Sequence, residues 1–341
     1  MKRLFTLTLL FTALIINAQE SEETNDKKFT LSGSIDAYYR ANITGPNDEN
    51  AIAPGSSFAN LPGFALGMAN IIASYEGEKV GFVADLVFGP RGTDAIFASP
   101  MYSATGNIVN QLYAYWNVSE SVTLTLGNFN TFLGYEVISP VPNFNYSTSY
   151  LFSYGPFSHT GLKADFALGE DVSLMLGVFN DTDLTEFNAT GDYAVGAQLG
   201  FSGQYVNVLY DPSFFEVDFT GGFDVSDDFF LGINAAYLSL EDDAGGFLGA
   251  ALYPQYTVSD AFAIGLRGEY FAEDENFGAI GTGVADSSVF AATLTGSYTI
   301  DDLIIKPEIR LDSASDDAFL DNDLAATKSL ASFLVAAIYK F

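Results

Sequence analysis

A chain of 341 residues with 13 Lys and Arg against 43 Asp and Glu has a formal charge of -30. That balance excludes nucleic acid as a partner, because phosphate binding needs clustered bases. Hydrophobic residues make up 48% and aromatics 15%, too much apolar surface for a disordered chain, while the lack of Cys excludes disulfides, thiolate metal sites and a Cys nucleophile.

The first element is a leader. Lys2 and Arg3 precede an apolar run from Leu4 to Ile16, and the small residue Ala18 follows. Basic flank, short apolar core and small residue at the cut are the order of a secretory signal peptide. The run falls short of the roughly 20 residues a membrane helix needs. The expected division is therefore residues 1–18 as signal peptide, 19–27 as a short periplasmic tail and 28–341 as a β-barrel.

From residue 28 onward the pattern is alternation. In "FTLSGSIDAYYRAN" Phe29, Leu31, Ile35 and Tyr39 share one face, opposite Thr30, Ser32, Ser34, Asp36 and Arg40. "FEVDFTGGFDV" and "LIIKPEIRLD" repeat it, with Phe215, Val217 and Phe219 opposite Glu216 and Asp218, and Ile305 and Ile309 opposite Lys306, Glu308 and Arg310. Period two with one apolar face describes strands that separate two media. Taken in order, they are expected at 28–43, 64–75, 79–89, 107–118, 121–130, 157–168, 172–180 and 192–202. The second half adds 204–210, 214–225, 228–239, 247–258, 261–271, 289–299, 303–312 and 331–341.

Seven connections are tight and eight are mostly longer and acidic. An even strand count, short turns at one end and longer loops at the other are the features of an all-β, transmembrane antiparallel barrel of the outer membrane, with about 16 strands and both termini periplasmic. The register follows from energy. Slipping each strand by one residue would point Arg40, Lys163, Arg267, Lys306, Arg310 and Lys340 at lipid, at about 2–4 kcal/mol each near the midplane. Pro254 and Pro307 fall inside expected strands, where a missing N–H predicts a bulge or a shortened strand. The closing strand carries Phe333, Tyr339 and Phe341 on its apolar face and must pair with the first strand, because an open edge in lipid leaves backbone groups unsatisfied.

A barrel of this size encloses water unless something fills it, and residues 19–27 are too few for a plug. The expected lining charges are the acids Asp36, Asp85, Asp165, Glu216, Asp218, Asp224, Glu269, Glu308 and Asp312, with the bases Arg40, Lys163, Arg267, Lys306 and Arg310. One connection stands apart. Residues 131–156, "TFLGYEVISPVPNFNYSTSYLFSYGP", are aromatic and carry a single charge, Glu136. A loop so apolar packs against something; Tyr135, Glu136, Phe144, Tyr146 and Tyr150 are its candidates for a constriction, with a lid on the rim or a subunit contact as the alternative. The other long connections hold many acids and, as bases, only Arg91 and Lys328. Such a mouth should concentrate cations, unless its acids serve only solubility or bridge divalent ions to lipopolysaccharide.

The segment "GNFNTFLGYEVISPVPNFNYSTSYLFSYGPFSHTGLKADFAL", residues 127–168, resembles the OmpL-like β-barrel porins of Gram-negative bacteria. Gly134–Glu136, Asn145–Ser147 and the run Phe157, His159, Thr160, Gly161 carry the likeness. It implies a porin-type barrel and transfers no catalytic, metal or cofactor residues. The terminal Phe341 likewise resembles the signal by which outer-membrane proteins engage the barrel-assembly machinery. The expected partners are outer-membrane lipid and lipopolysaccharide, that machinery, small hydrophilic solutes or cations, and copies of the chain in a homotrimer. A passive porin is the first reading. A substrate-specific channel and a non-conducting structural or adhesive barrel stand beside it.

An enzyme is not expected: the lone His159 has no nucleophile motif around it, which suits packing or a rim position. Asp181, Asp183, Glu186 and Asn188 could gather a hard cation but lack the Gly and spacing of an EF-hand loop.

Overall fold

The computed structural model describes residues 28–96, 108–188 and 190–341; the expected signal peptide and periplasmic tail lie outside the described residues. The first strands are β1 (Lys28–Asn42), β2 (Gly63–Glu76), β3 (Val80–Phe88), β4 (Val109–Ser119), β5 (Val122–Asn130), β6 (Ser158–Ala167), β7 (Val172–Phe179) and β8 (Ala194–Phe201). They continue as β9 (Gln204–Asp211), β10 (Phe214–Asp224), β11 (Phe229–Leu240), β12 (Gly246–Ser259), β13 (Phe262–Asp274), β14 (Ser288–Ile300) and β15 (Leu303–Ala314). A small hairpin, β16 (Phe319–Leu320) with β17 (Ala326–Thr327), interrupts the last long connection before β18 (Ser329–Lys340). Strands β1–β15 and β18 pair in chain order, all antiparallel, into one closed barrel. Two short helices, α1 (Pro90–Ala95) and α2 (Tyr150–Tyr154), lie in the long connections.

Closure happens at the chain's end. Along the β1–β18 seam Ile35 opposes Tyr339 and Ala41 opposes Phe333. Gly33 and Phe341 exchange both backbone hydrogen bonds, each 3.0 Å long. The terminal residue thus completes the ladder, which satisfies the requirement that no backbone edge meet lipid.

The two faces separate as the alternation demands. On β1, Phe29, Leu31 and Ile35 are exposed, while Ser34, Asp36, Arg40 and Asn42 are buried inside. Exposed Trp116, Tyr256, Tyr298 and Tyr339 ring the end with the tight turns; Tyr39, Phe64, Tyr210, Tyr237, Tyr270 and Phe290 ring the other. Phe290 and Tyr298 stand eight residues apart on β14. At a rise of about 3.3 Å per residue and a tilt near 40° that is roughly 20 Å of height, the size of a membrane band flanked by aromatic girdles.

The two prolines behave differently from the expectation of bulges or shortened strands. Across β12 and β13 the register runs Leu252 to Gly268 and resumes at Gln255 to Gly265 without a shift. Across β14 and β15 it runs Thr295 to Glu308 and resumes at Tyr298 to Ile305, again unshifted. Each proline costs the ladder a bond on one side only, while its other neighbour stays paired: Pro254 with Leu231, Pro307 with Val335. The continuous strands on both sides hold the register through the gap.

The outward band makes a direct prediction. Leu294 lies midway between the girdle residues of β14 and is exposed. Leu294→Arg should lower the unfolding free energy in lipid vesicles by about 2–4 kcal/mol, whereas Tyr298→Arg, at the girdle, should cost about 1 kcal/mol or less. Equal costs at the two positions would place the band elsewhere.

Candidate functional site

The connection between β5 and β6, residues 131–156, turns into the barrel. A loop in that position must find partners for its backbone, and the inner wall supplies them. On β13, Arg267 Nη1 meets the Glu136 carboxylate and the Ser147 carbonyl, both at 2.6 Å. Its Nη2 donates to the Thr148 carbonyl at 3.2 Å and lies 3.1 Å from Thr293 Oγ1 on β14. Two residues further along β13, Glu269 accepts the N–H groups of Tyr150 and Leu151 at 3.0 and 2.8 Å.

The β15 residues act in the same way. Glu308 accepts the N–H groups of Tyr146 and Ser147. Lys306 donates to the carbonyls of Pro140 and Asn143. Arg310 donates to the Thr148 carbonyl at 2.9 Å while paired with Asp312 at 2.7 Å. From the remaining wall, Asp218 on β10 accepts the Gly134 N–H at 3.1 Å, and Asp36 on β1 accepts the Tyr146 hydroxyl. The loop's one carboxylate, Glu136, also accepts the Ser149 N–H and hydroxyl, both at 2.7 Å. Ser149 in turn caps α2 through the Phe152 N–H.

Aromatic packing seats the rest. Tyr135 stacks on Tyr253 with ring centroids 4.2 Å apart. It also lies over Gly232, where a Cβ would come within 2.3 Å of its hydroxyl. Phe144 lies over Gly265, where a Cβ would come within 2.5 Å of the ring. Tyr150 places its hydroxyl 3.2 Å from Asp312. Tyr154 bridges two other connections, donating to or lying within hydrogen-bond reach of the carbonyls of Gly55 and Ala279. Burial pushes the Tyr135 phenol up to about 12 and raises the Tyr146 and Tyr150 phenols as well, so all three stay neutral.

The residues expected to line water therefore fall into two sets. Asp36, Asp218, Arg267, Glu269, Lys306, Glu308, Arg310 and Asp312 are buried and committed to the loop or to one another. Glu216 is buried beneath Gly155, and Arg40 is buried with one bond, to Asn42. Asp85 holds Asn70 and Asn110 on its own side of the wall. Only Lys163 and Asp165, paired at 3.0 Å, and Asp224 keep appreciable exposure, all toward the tight-turn end. Three groups had no place in the expected site. They are Arg91 on α1, Tyr253, and residues 55–58 of the first long connection, whose Ser56 and Ser57 bond Arg310 and Ser153.

The loop divides the interior. Toward the tight turns lies a cavity of about 440 Å³ bordered by Tyr135, Glu136, Phe144 and Tyr253. Toward the long connections lies one of about 350 Å³ bordered by Tyr38, Phe58, Arg91 and Tyr146. At the β1–β18–β15 wall a gap of about 10 Å³, room for one water, opens among Arg40, Asn60, Ser147, Glu308 and Arg310.

His159 is fully buried between Phe132 and Phe179, with ring centroids 5.1 and 4.9 Å away, and its Nε2 lies 2.9 Å from Thr131 Oγ1. Its Nδ1 has no partner, where a Ser–His–Asp site would put a carboxylate. Asp183 accepts the N–H groups of Phe157 and Ser158, and Asp181 accepts the N–H and the hydroxyl of Thr190, so these two acids serve the connection itself. Among the described residues, no three metal-ligating side chains converge.

A family model described as "Putative beta-barrel porin-2, OmpL-like" matches residues 28–341, the whole barrel. The chain belongs to this family. No curated protein matches the sequence. Among solved structures, the outer-membrane channel DcaP of Acinetobacter baumannii aligns with a TM-score of 0.61 at 14% identity, over 94% of this chain and 99% of that one. OmpF of Salmonella typhi, in complex with daunomycin, aligns with a TM-score of 0.62 at 12% identity, over 94% and 99%. The anion-selective porin from Comamonas acidovorans aligns with a TM-score of 0.59 at 10% identity, over 92% and 100%. At such identities the likeness is one of fold. Together with the family, it makes the chain a porin-like β-barrel of the outer membrane.

The clamp yields one prediction, and Asp183 in the connection between β7 and β8 yields another. Removing one partner of a buried ion pair strands the other, at about 3–5 kcal/mol. Arg267→Met should lower the thermal midpoint of the barrel, and Glu136→Gln in the same background should recover part of the loss. A double variant as unstable as the sum of the two single ones would mean that the pair does not couple. The second concerns pH. Desolvation pushes the Asp183 carboxyl up to about 7, against backbone N–H bonds that favour the charged form. Native Asp183 then holds its proton between about pH 4 and 7 while the unfolded chain does not, so stability falls as pH rises through that window. Asp183→Asn should flatten this decline; an unchanged slope would contradict it.

Proposed function

We propose that the barrel is a porin through which small hydrophilic solutes diffuse passively, with loop 131–156 as the constriction. The observation that carries this reading is the Arg267–Glu136 bridge, with Glu269 and Glu308 on its flanks, which holds the loop across the interior between two cavities. The tight turns and both termini face the periplasm, following export on a signal peptide, and the long connections form the outer mouth. Beside the loop, polar side chains frame a water-sized gap at Arg40, Ser147 and Glu308.

Charge placement supports cation preference. Asp48, Glu49, Glu241, Asp242, Asp243, Glu275, Asp286, Asp317 and Asp323 are exposed on the long connections, with Asp274 at the adjoining end of β13. Of the two bases there, Arg91 is buried and only Lys328 is exposed. A mouth with one sign of surface charge concentrates counter-ions, with an effect that fades as salt screens it. The same acids can bind divalent ions beneath lipopolysaccharide, and a homotrimer is the assembly we favour. A second reading, a non-conducting structural barrel, draws on the dense anchoring of the loop. A hydrolase draws on nothing around His159.

Planar-bilayer recording of the refolded mature protein tests the proposal. Steady conductance steps with a cation-favouring reversal potential in a KCl gradient are expected, and Arg267→Met should raise the conductance at least about twofold by loosening the loop. Silence from a correctly folded barrel would favour the structural reading, and a chloride-favouring potential would overturn the selectivity.

A further inference from the structure

The mouth-side cavity, beyond its place in the permeation route, has the composition of a binding site. Its volume of about 350 Å³ is in the range of small-molecule pockets, and Tyr38, Phe58 and Tyr146 give it aromatic walls. Two charged side chains border it, Arg91 and Asp94, both on α1.

Arg91 is the informative one. It is 3% exposed, yet among the described residues no carboxylate lies within ion-pair distance of it. Its Nε donates to the Ile138 carbonyl at 2.7 Å and its Nη1 to the Tyr146 carbonyl at 3.0 Å. The guanidinium carbon lies 4.7 Å from the centre of the Phe58 ring and 5.2 Å from that of Tyr146. Its direct contacts are thus neutral carbonyls and ring faces; the Asp36 carboxylate, bonded to the Tyr146 hydroxyl, feels the Arg91 charge only from beyond ion-pair distance, and Nη2 is buried without a partner. A buried cation with no carboxylate in direct contact is under-compensated, and a guanidinium is shaped to take one. Asp94, exposed and three residues further along the same helix, supplies the opposite charge at the rim.

We infer that this cavity binds a small zwitterion, an α-ammonium carboxylate with an apolar side chain such as a free amino acid or a short peptide. The carboxylate pairs with Arg91, the ammonium with Asp94, and the side chain packs on Phe58 and Tyr38. The acidic mouth decides between zwitterion and plain anion. A solute with net negative charge meets repulsion from the exposed acids of the long connections, whereas a zwitterion is net neutral and carries the ammonium they attract. The inference deepens the porin reading and rests on it for the route by which the solute leaves.

Isothermal titration of the mature barrel in lipid nanodiscs with L-phenylalanine, phenylacetate and phenethylamine tests the site. Saturable binding of phenylalanine is expected, at least about tenfold tighter than either single-charge analogue. Arg91→Gln should abolish it. Because Arg91 is also a packing residue, Asp94→Asn at the exposed rim serves as the second variant: it should weaken phenylalanine and leave phenylacetate unchanged or tighter. Phenylacetate binding as tightly as phenylalanine, or no response of phenylalanine to Asp94→Asn, would overturn the inference. Bilayer recording on the same preparation separates it from the porin reading. A conducting barrel that does not bind phenylalanine removes the site alone, and a silent barrel that binds it removes the channel alone.

Discussion

The guanidinium of Arg267 holds the interior of this barrel together. It is fully buried, it neutralises the single charge of loop 131–156, and it takes two carbonyls of the same loop at the point where the chain turns toward α2. A guanidinium is suited to this because its donors point in several fixed directions at once and it stays charged without water. Around it, Glu269 and Glu308 accept the loop's N–H groups while Arg267, Arg310 and Lys306 donate to its carbonyls. The wall thereby replaces the secondary structure that the loop does not make for itself.

This changes the meaning of charge inside the barrel. A ladder of acids and bases on inward strand positions suggests a solvated lumen, yet on β13 and β15 the ladder is a set of fasteners. The arrangement fits the energetics of burial, since a charge taken from water must find either an opposite charge or several hydrogen bonds. Asp312 has Arg310, and Glu308 has two loop N–H groups and Thr295. The exposed charge resides elsewhere, on the long connections and at Lys163, Asp165 and Asp224 near the tight turns. Fold and proposed function meet here, because the same contacts that stabilise the loop set the width left for a solute.

The barrel was legible in the sequence because period-two alternation is a local signal, written whenever a strand separates lipid from a polar interior. The sixteen expected strands all form, with differences at their ends. The expected 261–271, for instance, continues as β13 to Asp274, since a strand can extend past the membrane band where its outward residues turn acidic. The inward turn of the aromatic loop was readable as a tendency, from its lack of charge. Its seating was not, because it depends on residues brought together only by closure: Glu136 with Arg267, and Tyr146 with Glu308, 162 positions away. Arg91 was legible only as one of two bases on the long connections, for the same reason. A lone base among acidic loops looks like a surface charge until the fold places it between Phe58 and Tyr146. Pro254 and Pro307 misled in the other direction, since local chemistry predicts a break that the neighbouring strands do not allow.

Amide hydrogen exchange of the barrel in lipid, resolved by peptide, tests the clamp most directly. If the wall holds the loop as described, the amides of Tyr146, Ser147, Tyr150 and Leu151, all donating to Glu308 or Glu269, should be protected as well as the strands and exchange only with global unfolding. The exposed connection at Glu241–Asp243 should exchange quickly in the same sample. Exchange of the Tyr146–Leu151 peptide at the rate of that exposed connection would mean that the loop is not fastened, and the account of the constriction would fail with it.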